Sequence, residues 1–406
     1  VGMYPVDILT MLSGWQACNL STINGKRCKT KYDFFRAVTA ATTIGTLQAG
    51  YTDFPYLGST SENICRREAL LGVSITGMME SPDILLDEDI LAEGARLARE
   101  VNRRIAKLIG IRPAARVTVI KPEGTASCLL GTSSGIHLNH AARFLRRVQA
   151  NALEAPYRHF AEVNPDAVER SVWSASGTDG VISFCCEAEP GSLTKQDMGA
   201  IDFLKTVMAV KKAWVDGGKD DELSTMPWLS HNVSNTVNVR EDEWDVVAHH
   251  IYDHREHYAG ISLLPHAGDL DYAQAPFAAV RTIEEIREAY GSGADQVDAK
   301  WLLDMAALTI EGGLWSAIDM ATGKRKPQSQ EEADWGVVFL ALAVERFGQD
   351  TRKAGHCLKE LHLASEWERL KSSYRTVDYE KMYEEEAATA PVQAMACAGG
   401  LCEVSF

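Results

Sequence analysis

Cys397 and Cys402 stand five positions apart in the closing run ACAGGLCEVSF, among small and apolar residues. Two thiols at that spacing close a disulfide at little cost in loop entropy, and on an accessible segment they stay open to exchange. A zinc site would want two further ligands nearby, and the run holds no His and no third Cys. The pair reads as a carrier of reducing equivalents, with an incidental pair as the bland alternative. A second stretch, VTVIKPEGTASCLLGTSSGIH (117–137), breaks a β-branched run with Pro122 and Gly124 and follows it with hydroxyls. Over Pro122, Glu123, Gly124, Thr125, Ala126 and Ser127, the glycine lets backbone N–H groups approach an anion. Thr125 and Ser127 add hydroxyl donors, and a helix starting there would add favourable partial charge. No G-x-x-x-x-G-K-[ST] occurs, so this is not a P-loop. An ordinary strand-to-helix turn would be written with the same residues.

The remaining cysteines and histidines carry weaker signals. Cys18, in GWQACNLSTING, lies in an apolar, strand-like run, where a lone cysteine reads first as a small core hydrophobe and second as a redox group. Cys28, Cys65, Cys128 and Cys357 read as core residues. The adjacent Cys185 and Cys186 lack metal-ligand spacing and fall on a strand. In AHHIYDHREHY, His250, His254 and His257 share one helical face. H-E-x-x-H is absent and no carboxylate or cysteine partner is evident, so a solvated face is favoured over a metal site and no metal is expected.

These residues need a scaffold, and the pattern is that of an α/β chain. Apolar residues recur at helical spacing from Lys31 to Ala49 and again in DEDILAEGARLAREVNRRIAKLIG, which has acidic residues at its start and Gly110 past its end. ARVTVIKPEG reads as a buried strand feeding a turn. HNVSNTVNVR alternates as a half-buried strand, DEWDVVAHHIYDHREHYAG reads as a helix, and ISLLPHAGD as another strand and turn. Strands alternating with helices predict parallel strands. From about Glu384 the composition turns small and unpatterned, as in a flexible tail. The 406 residues carry a net charge of −15, which argues against nucleic-acid polymers and anionic membranes as partners. No apolar run approaches the roughly 20 residues that span a bilayer. Nine cysteines without a framework spacing suit a reducing cytoplasm.

Taken together, the chain resembles the adenosylcobalamin-dependent (class II) ribonucleotide reductases, especially those described as triphosphate reductases. The likeness is carried by GMYPV, SGWQACNLSTING, GTLQAGYTDFPYLG, REALLGVSITG, KPEGTASCLLGTSSGIH, RRVQ, HNVSNTVNV, YAGISLLPHAGD and ACAGGLCE. It implies the second half of a ten-stranded α/β barrel, a parallel half-sheet flanked by helices, over residues 1–383, with a flexible redox tail over 384–406. It implies that Cys18 is the reducible cysteine that follows the radical cysteine, and that Pro122, Glu123, Gly124, Thr125, Ala126 and Ser127 hold the phosphates of a ribonucleotide substrate. Cys397 and Cys402 would re-reduce the buried disulfide and be recycled by a thioredoxin-type reductant. The family's radical cysteine lies in an N-P-C-x-E segment directly before the stretch that here reads VGMYPV. The resemblance therefore implies an N-terminal part as partner, which would supply that cysteine, the partner of Cys18 and most adenosylcobalamin contacts. His137, Asn232 and Asn235 fall in family motifs without an assigned role. Two rival readings are a large-chain fragment of the reductase class that uses a separate metal subunit and a non-catalytic thiol-bearing binding protein. The first is disfavoured by the absence of a Tyr-Tyr dipeptide, since Tyr374, Tyr379 and Tyr383 stand apart.

Overall fold

Asp87 and Gly110 bound the clearest amphipathic stretch of the sequence, and the chain folds there as predicted. In the computed structural model, which describes residues 13–266, 268–291 and 296–379, a helix runs Glu88–Ile109. The Asp87 carboxylate accepts the Ile90 N–H at 2.9 Å, and Gly110 closes the helix at φ +75°, a left-handed cap that glycine adopts without a Cβ clash. Its buried face, from Leu91 through Ala95, Ala98 and Asn102 to Ala106, packs on the helix Lys31–Gln48. A Cβ on Gly94 would lie 2.6 Å from the Phe34 ring, so this glycine sets how closely the two helices approach. Buried Asn102 joins three segments: its amide donates to Thr46 Oγ1 at 3.0 Å and its Oδ1 accepts the Ala114 N–H at 2.8 Å.

Among the described residues there are eight strands: β1 Asn19–Asn24, β2 Leu71–Thr76, β3 Arg143–Asn151, β4 Val168–Arg170, β5 Asp179–Glu187, β6 Thr236–Val239, β7 Ser262–Pro265 and β8 Phe277–Ala279. They fall in two compact units, one built from the residues up to Asn139 and Ala188–His266, the other from His140–Glu187 and the residues after His266.

In the first unit β1 pairs with β2, and β6 with β7, both in parallel. The 116–120 segment runs between these pairs. On one edge the Val73 N–H donates to Val117 O at 2.9 Å and the Val119 N–H to Val73 O at 3.0 Å. On the other edge the Ile120 N–H donates to Asn232 O at 3.2 Å and the Ser234 N–H to Ile120 O at 2.9 Å. Parallel bridges join Val73 to Thr118 and Ile120 to Val233. Five extended segments (β1, β2, 116–120, 233–239 and β7) thereby share one direction. The predicted strand over 117–120 forms bridges rather than a full ladder for a local reason. The Val117 N–H goes to Gly218 O at 3.0 Å and the Thr118 hydroxyl to Trp214 O at 2.6 Å, which draws one edge toward the 214–218 turn. The helix read in DEWDVVAHHIYDHREHYAG is Trp244–Asp253, followed by a single 3₁₀ turn.

The second unit is built differently. Its sheet is antiparallel, in the order β4-β5-β3-β8, with Cys185 and Cys186 on β5 as expected. Helices Gln330–Phe347 and Thr351–Ser373 enclose a second core, in which buried Trp335 stacks on Phe339 at 5.4 Å and donates to Leu302 O at 2.9 Å. No helix of the described residues is long and apolar enough to cross a membrane.

Trp214 is fully buried, donates from Nε1 to Val119 O at 3.1 Å and packs 5.7 Å from the Phe34 ring. Trp214→Ala is expected to cost about 3–5 kcal/mol, seen as a lower urea midpoint by circular dichroism. An unchanged midpoint would contradict this account of the first core.

Candidate thiol and anion site

Cys18 enters β1, and the side chain it presents depends on a missing side chain opposite. A Cβ at Gly72 of β2 would lie 2.9 Å from Cys18 Sγ, 2.5 Å from Leu20 Cδ2 and 3.3 Å from Val119 Cγ1. Gly72 therefore makes the seat in which the sulfur rests beside the 116–120 segment. Cys18 is half-buried. Burial pushes its thiol above the ordinary range, and the Lys121 ammonium pulls it part of the way back. Its Sγ lies 3.9 Å from His231 Nε2, while His231 Nδ1 is 3.0 Å from the Thr118 carbonyl oxygen. Burial holds the His231 imidazole down to about 4; the Thr118 hydrogen bond opposes this, and Arg116, Lys121 and Lys211 add to it as neighbouring cations.

The 122–127 turn leaves the forward end of the same segment. From Val119, beside the sulfur's seat, to Glu123 is at most roughly 13 Å of extended chain. Glu123 takes a left-handed conformation at φ +53° and the helix Gly124–Leu130 follows, so a helix does begin where the sequence placed a cradle. Its first N–H groups lack intrahelical acceptors. Gly124 and Thr125 are exposed. Ser127 is buried and its hydroxyl donates to Gly124 O at 3.0 Å, so in this arrangement the outward hydroxyl is that of Thr125, whereas the sequence offered both. Cys128 is exposed, against the core reading given to it, because it is one position past Ser127 and so turns to the outer side of a short helix. Cys28, Cys65 and Cys357 are buried as expected.

Neighbouring strand ends hold the turn in place. Asn24, closing β1, donates to Leu130 O at 3.3 Å. Thr76, closing β2, donates to Ser133 O and accepts the Gly135 N–H, both at 3.0 Å. The Ser134 hydroxyl returns to Pro122 O, and a Cβ on Gly135 would meet Lys121 O at 2.5 Å. Glu80 accepts the Ser133 N–H at 2.6 Å. The motif TSSGIH is thus the brace of the turn.

The structure gives places to the residues left without roles. His137 borders a pocket of about 60 Å³ with Lys195, Phe203, Arg240 and His266, at the forward ends of β6 and β7. Its Nδ1 lies 2.7 Å from Ser134 O, and burial lowers its pKa. Buried Asn235 is a staple, donating to Val233 O at 2.8 Å and Gly260 O at 3.1 Å. Asn232 supplies the carbonyl that pairs with Ile120. His250 and His254 stack at 4.4 Å, and His250 Nε2 lies 3.1 Å from the Tyr258 hydroxyl. Among the described residues no three His, Cys, Asp or Glu side chains converge as metal ligands. Cys397 and Cys402 lie outside the described residues. Sequence reasoning missed His231 and Gly72. Each stands inside a quoted motif, but only the pairing of distant strands brings them to Cys18.

No family model matches the chain. The adenosylcobalamin-dependent ribonucleoside-triphosphate reductase of Lactobacillus acidophilus is 24% identical over 222 residues, 52% of this chain and 27% of that protein. The protein of the same name from Levilactobacillus brevis is 24% identical over 172 residues, 41% of this chain and 21% of its own length. The chain thus spans about a quarter of the curated relatives it matches. A crystal structure of a B12-dependent (class II) ribonucleotide reductase superposes with a TM-score of 0.54 at 15% identity, covering 69% of this chain and 41% of that one; this likeness concerns the fold. The resemblance read from the sequence is borne out by the two curated relatives, and the superposition agrees with it in fold.

The environment of His231 has a measurable consequence. Folded, it stays neutral down to about 4, whereas an unfolded histidine titrates near roughly 6.5. Between these values the unfolded chain binds the additional proton, so this contribution to stability rises with pH and is lost as pH falls from about 6.5 toward 4. His231→Gln is expected to flatten the difference between urea midpoints at pH 7 and pH 4.5. A slope equal to that of the wild type would place the imidazole in water.

Proposed function

We propose that the chain is the C-terminal part of an adenosylcobalamin-dependent ribonucleotide reductase, with Cys18 as a reducible thiol and the 122–127 turn as the phosphate cradle. The observation that carries this reading is the seat of Cys18: a half-exposed sulfur beside the strand segment whose forward end opens into that turn. A nucleotide with its phosphates on the first N–H groups of the Gly124–Leu130 helix and the Thr125 hydroxyl would extend its ribose back toward the sulfur. The five parallel segments support residues 1–383 as containing the second half of an α/β barrel, and residues 384–406 are read as its redox tail.

The chemistry balances on thiols. Replacing a ribose 2′-hydroxyl with hydrogen consumes two S–H groups, so C2′–OH and two thiols give C2′–H, water and one disulfide. Cys18 supplies one thiol and a cysteine of the N-terminal part the other. Cys397 and Cys402 then exchange with that disulfide, one tail thiolate attacking it and the second resolving the mixed disulfide. The tail is left oxidised for a thioredoxin-type reductant. The raised pKa of the half-buried Cys18 suits this order, because the resting sulfur keeps the hydrogen that the reduction uses.

The names of the relatives favour a triphosphate substrate and adenosylcobalamin as cofactor. In this reading most of the adenosylcobalamin contacts belong to the N-terminal part. The enzyme is assigned to the cytoplasm, where thiols stay reduced.

The test is turnover by this chain with its N-terminal part, adenosylcobalamin and a ribonucleoside triphosphate, read as deoxynucleotide formed. Cys18→Ser should lower multiple turnover at least about a hundredfold, as expected when a group of the reacting set is removed. The Cys397→Ser, Cys402→Ser double variant should retain turnover with a small dithiol and lose it with thioredoxin. Full activity of Cys18→Ser would remove the assignment.

A further inference from the structure

We infer that His231 is a positioning residue for Cys18, holding its side chain with the S–H turned to Nε2 so that the sulfur rests as an oriented thiol in the Gly72 seat. The inference rests on the reading of Cys18 as the reducible thiol. The geometry fixes the direction of the bond. The Thr118 carbonyl can only accept, so the ring nitrogen 3.0 Å from it, Nδ1, carries the hydrogen. Nε2 is then left with a lone pair, and the atom in front of it is Cys18 Sγ at 3.9 Å. The thiol donates and the imidazole accepts.

The opposite arrangement, imidazolium beside thiolate, is opposed by the surroundings. Arg116, Lys121 and Lys211 are near enough to act on the imidazole as cations, and a further proton on it would be repelled by each. Of these, Lys121 also acts on the sulfur and is the group that favours thiolate. The neutral imidazole works against it, because its lone pair welcomes S–H and repels S⁻. A thiolate would carry no hydrogen to give, and a freely rotating thiol would hold its hydrogen in no fixed direction. His231 meets both requirements with one atom, and Thr118 fixes that atom through the backbone of the segment that leads into the 122–127 turn.

The S–H stretching band in the Raman spectrum reports this bond directly. The difference between the wild-type chain and Cys18→Ala isolates the band of Cys18, and the same difference in a His231→Leu background shows it without the acceptor. The wild-type band is expected at lower frequency, moving up in His231→Leu; equal frequencies overturn the inference. A second readout does not require the leucine variant to fold. In the imidazole ¹⁵N spectrum His231 should show a protonated Nδ1 and an unprotonated Nε2 whose resonance moves in Cys18→Ala, and an unmoved Nε2 resonance also overturns it. In the complex with the N-terminal part, His231→Leu should lower kcat roughly ten- to hundredfold through loss of orientation, with KM unchanged because the turn is intact. An unshifted band with normal turnover overturns the inference alone. A shifted band in a complex without turnover overturns the reductase reading instead.

Discussion

Strand direction governs the first unit. With β1, β2, the 116–120 segment, 233–239 and β7 all running one way, the turns that leave them forward gather at one end, and in open parallel sheets that end is where ligands bind. Asn24 and Thr76 are the last residues of β1 and β2, and their side chains hold the returning 130–135 loop, while the Lys121 carbonyl just past the third segment lies against Gly135. The phosphate-cradle candidate is therefore braced by the sheet through the TSSGIH loop. A turn held from beneath can keep its N–H groups aimed outward before any ligand arrives, which lowers the ordering cost of binding.

The same direction sets the sulfur's seat beside the segment that leads into the turn. Cys18 enters β1 at the level of Leu70, several residues behind the forward edge, and would be remote from the turn if it pointed along the strand axis. The absent side chain at Gly72 lets Sγ rest over β2 on the side of Val119. Burial then acts on the two polar partners in the same sense. It disfavours charge on both the thiol and the imidazole, so the low-energy state of the pair is the neutral one joined by a hydrogen bond.

Legibility in the sequence followed the range of the interactions. The helix Glu88–Ile109 was readable to its ends because Asp87 and Gly110 act on their own neighbours. The parallel strands were readable as extended runs, whereas the partial pairing of 116–120 was not, since it depends on Gly218 and Trp214 about a hundred residues later in the chain. The antiparallel sheet left little trace. β3 reads RFLRRVQAN, and its charges obscure the alternation until Arg147 is seen paired with Glu366 at 2.8 Å. For the candidate site, the turn was singled out from local composition, and Cys18 took its redox reading from the resemblance alone. His231 was not, because 213 residues separate it from the sulfur it faces and nothing in its own segment marks it as an acceptor.

The inward turn of Ser127 bears on how an anion would be held. Its hydroxyl closes on Gly124 O and Cys128 Sγ reaches the same carbonyl, each at 3.0 Å, so the first turn of the short helix spends its side chains on its own backbone. That leaves main-chain N–H groups and Thr125 as the donors. Such donors recognise a phosphate by position and count rather than by opposite charge, so binding there would respond only weakly to salt compared with a lysine clamp. A net charge of −15 works against long-range attraction of a nucleotide. A short-range, preorganised cradle fits that setting better than a basic patch would, because its strength comes from geometry the sheet has already fixed.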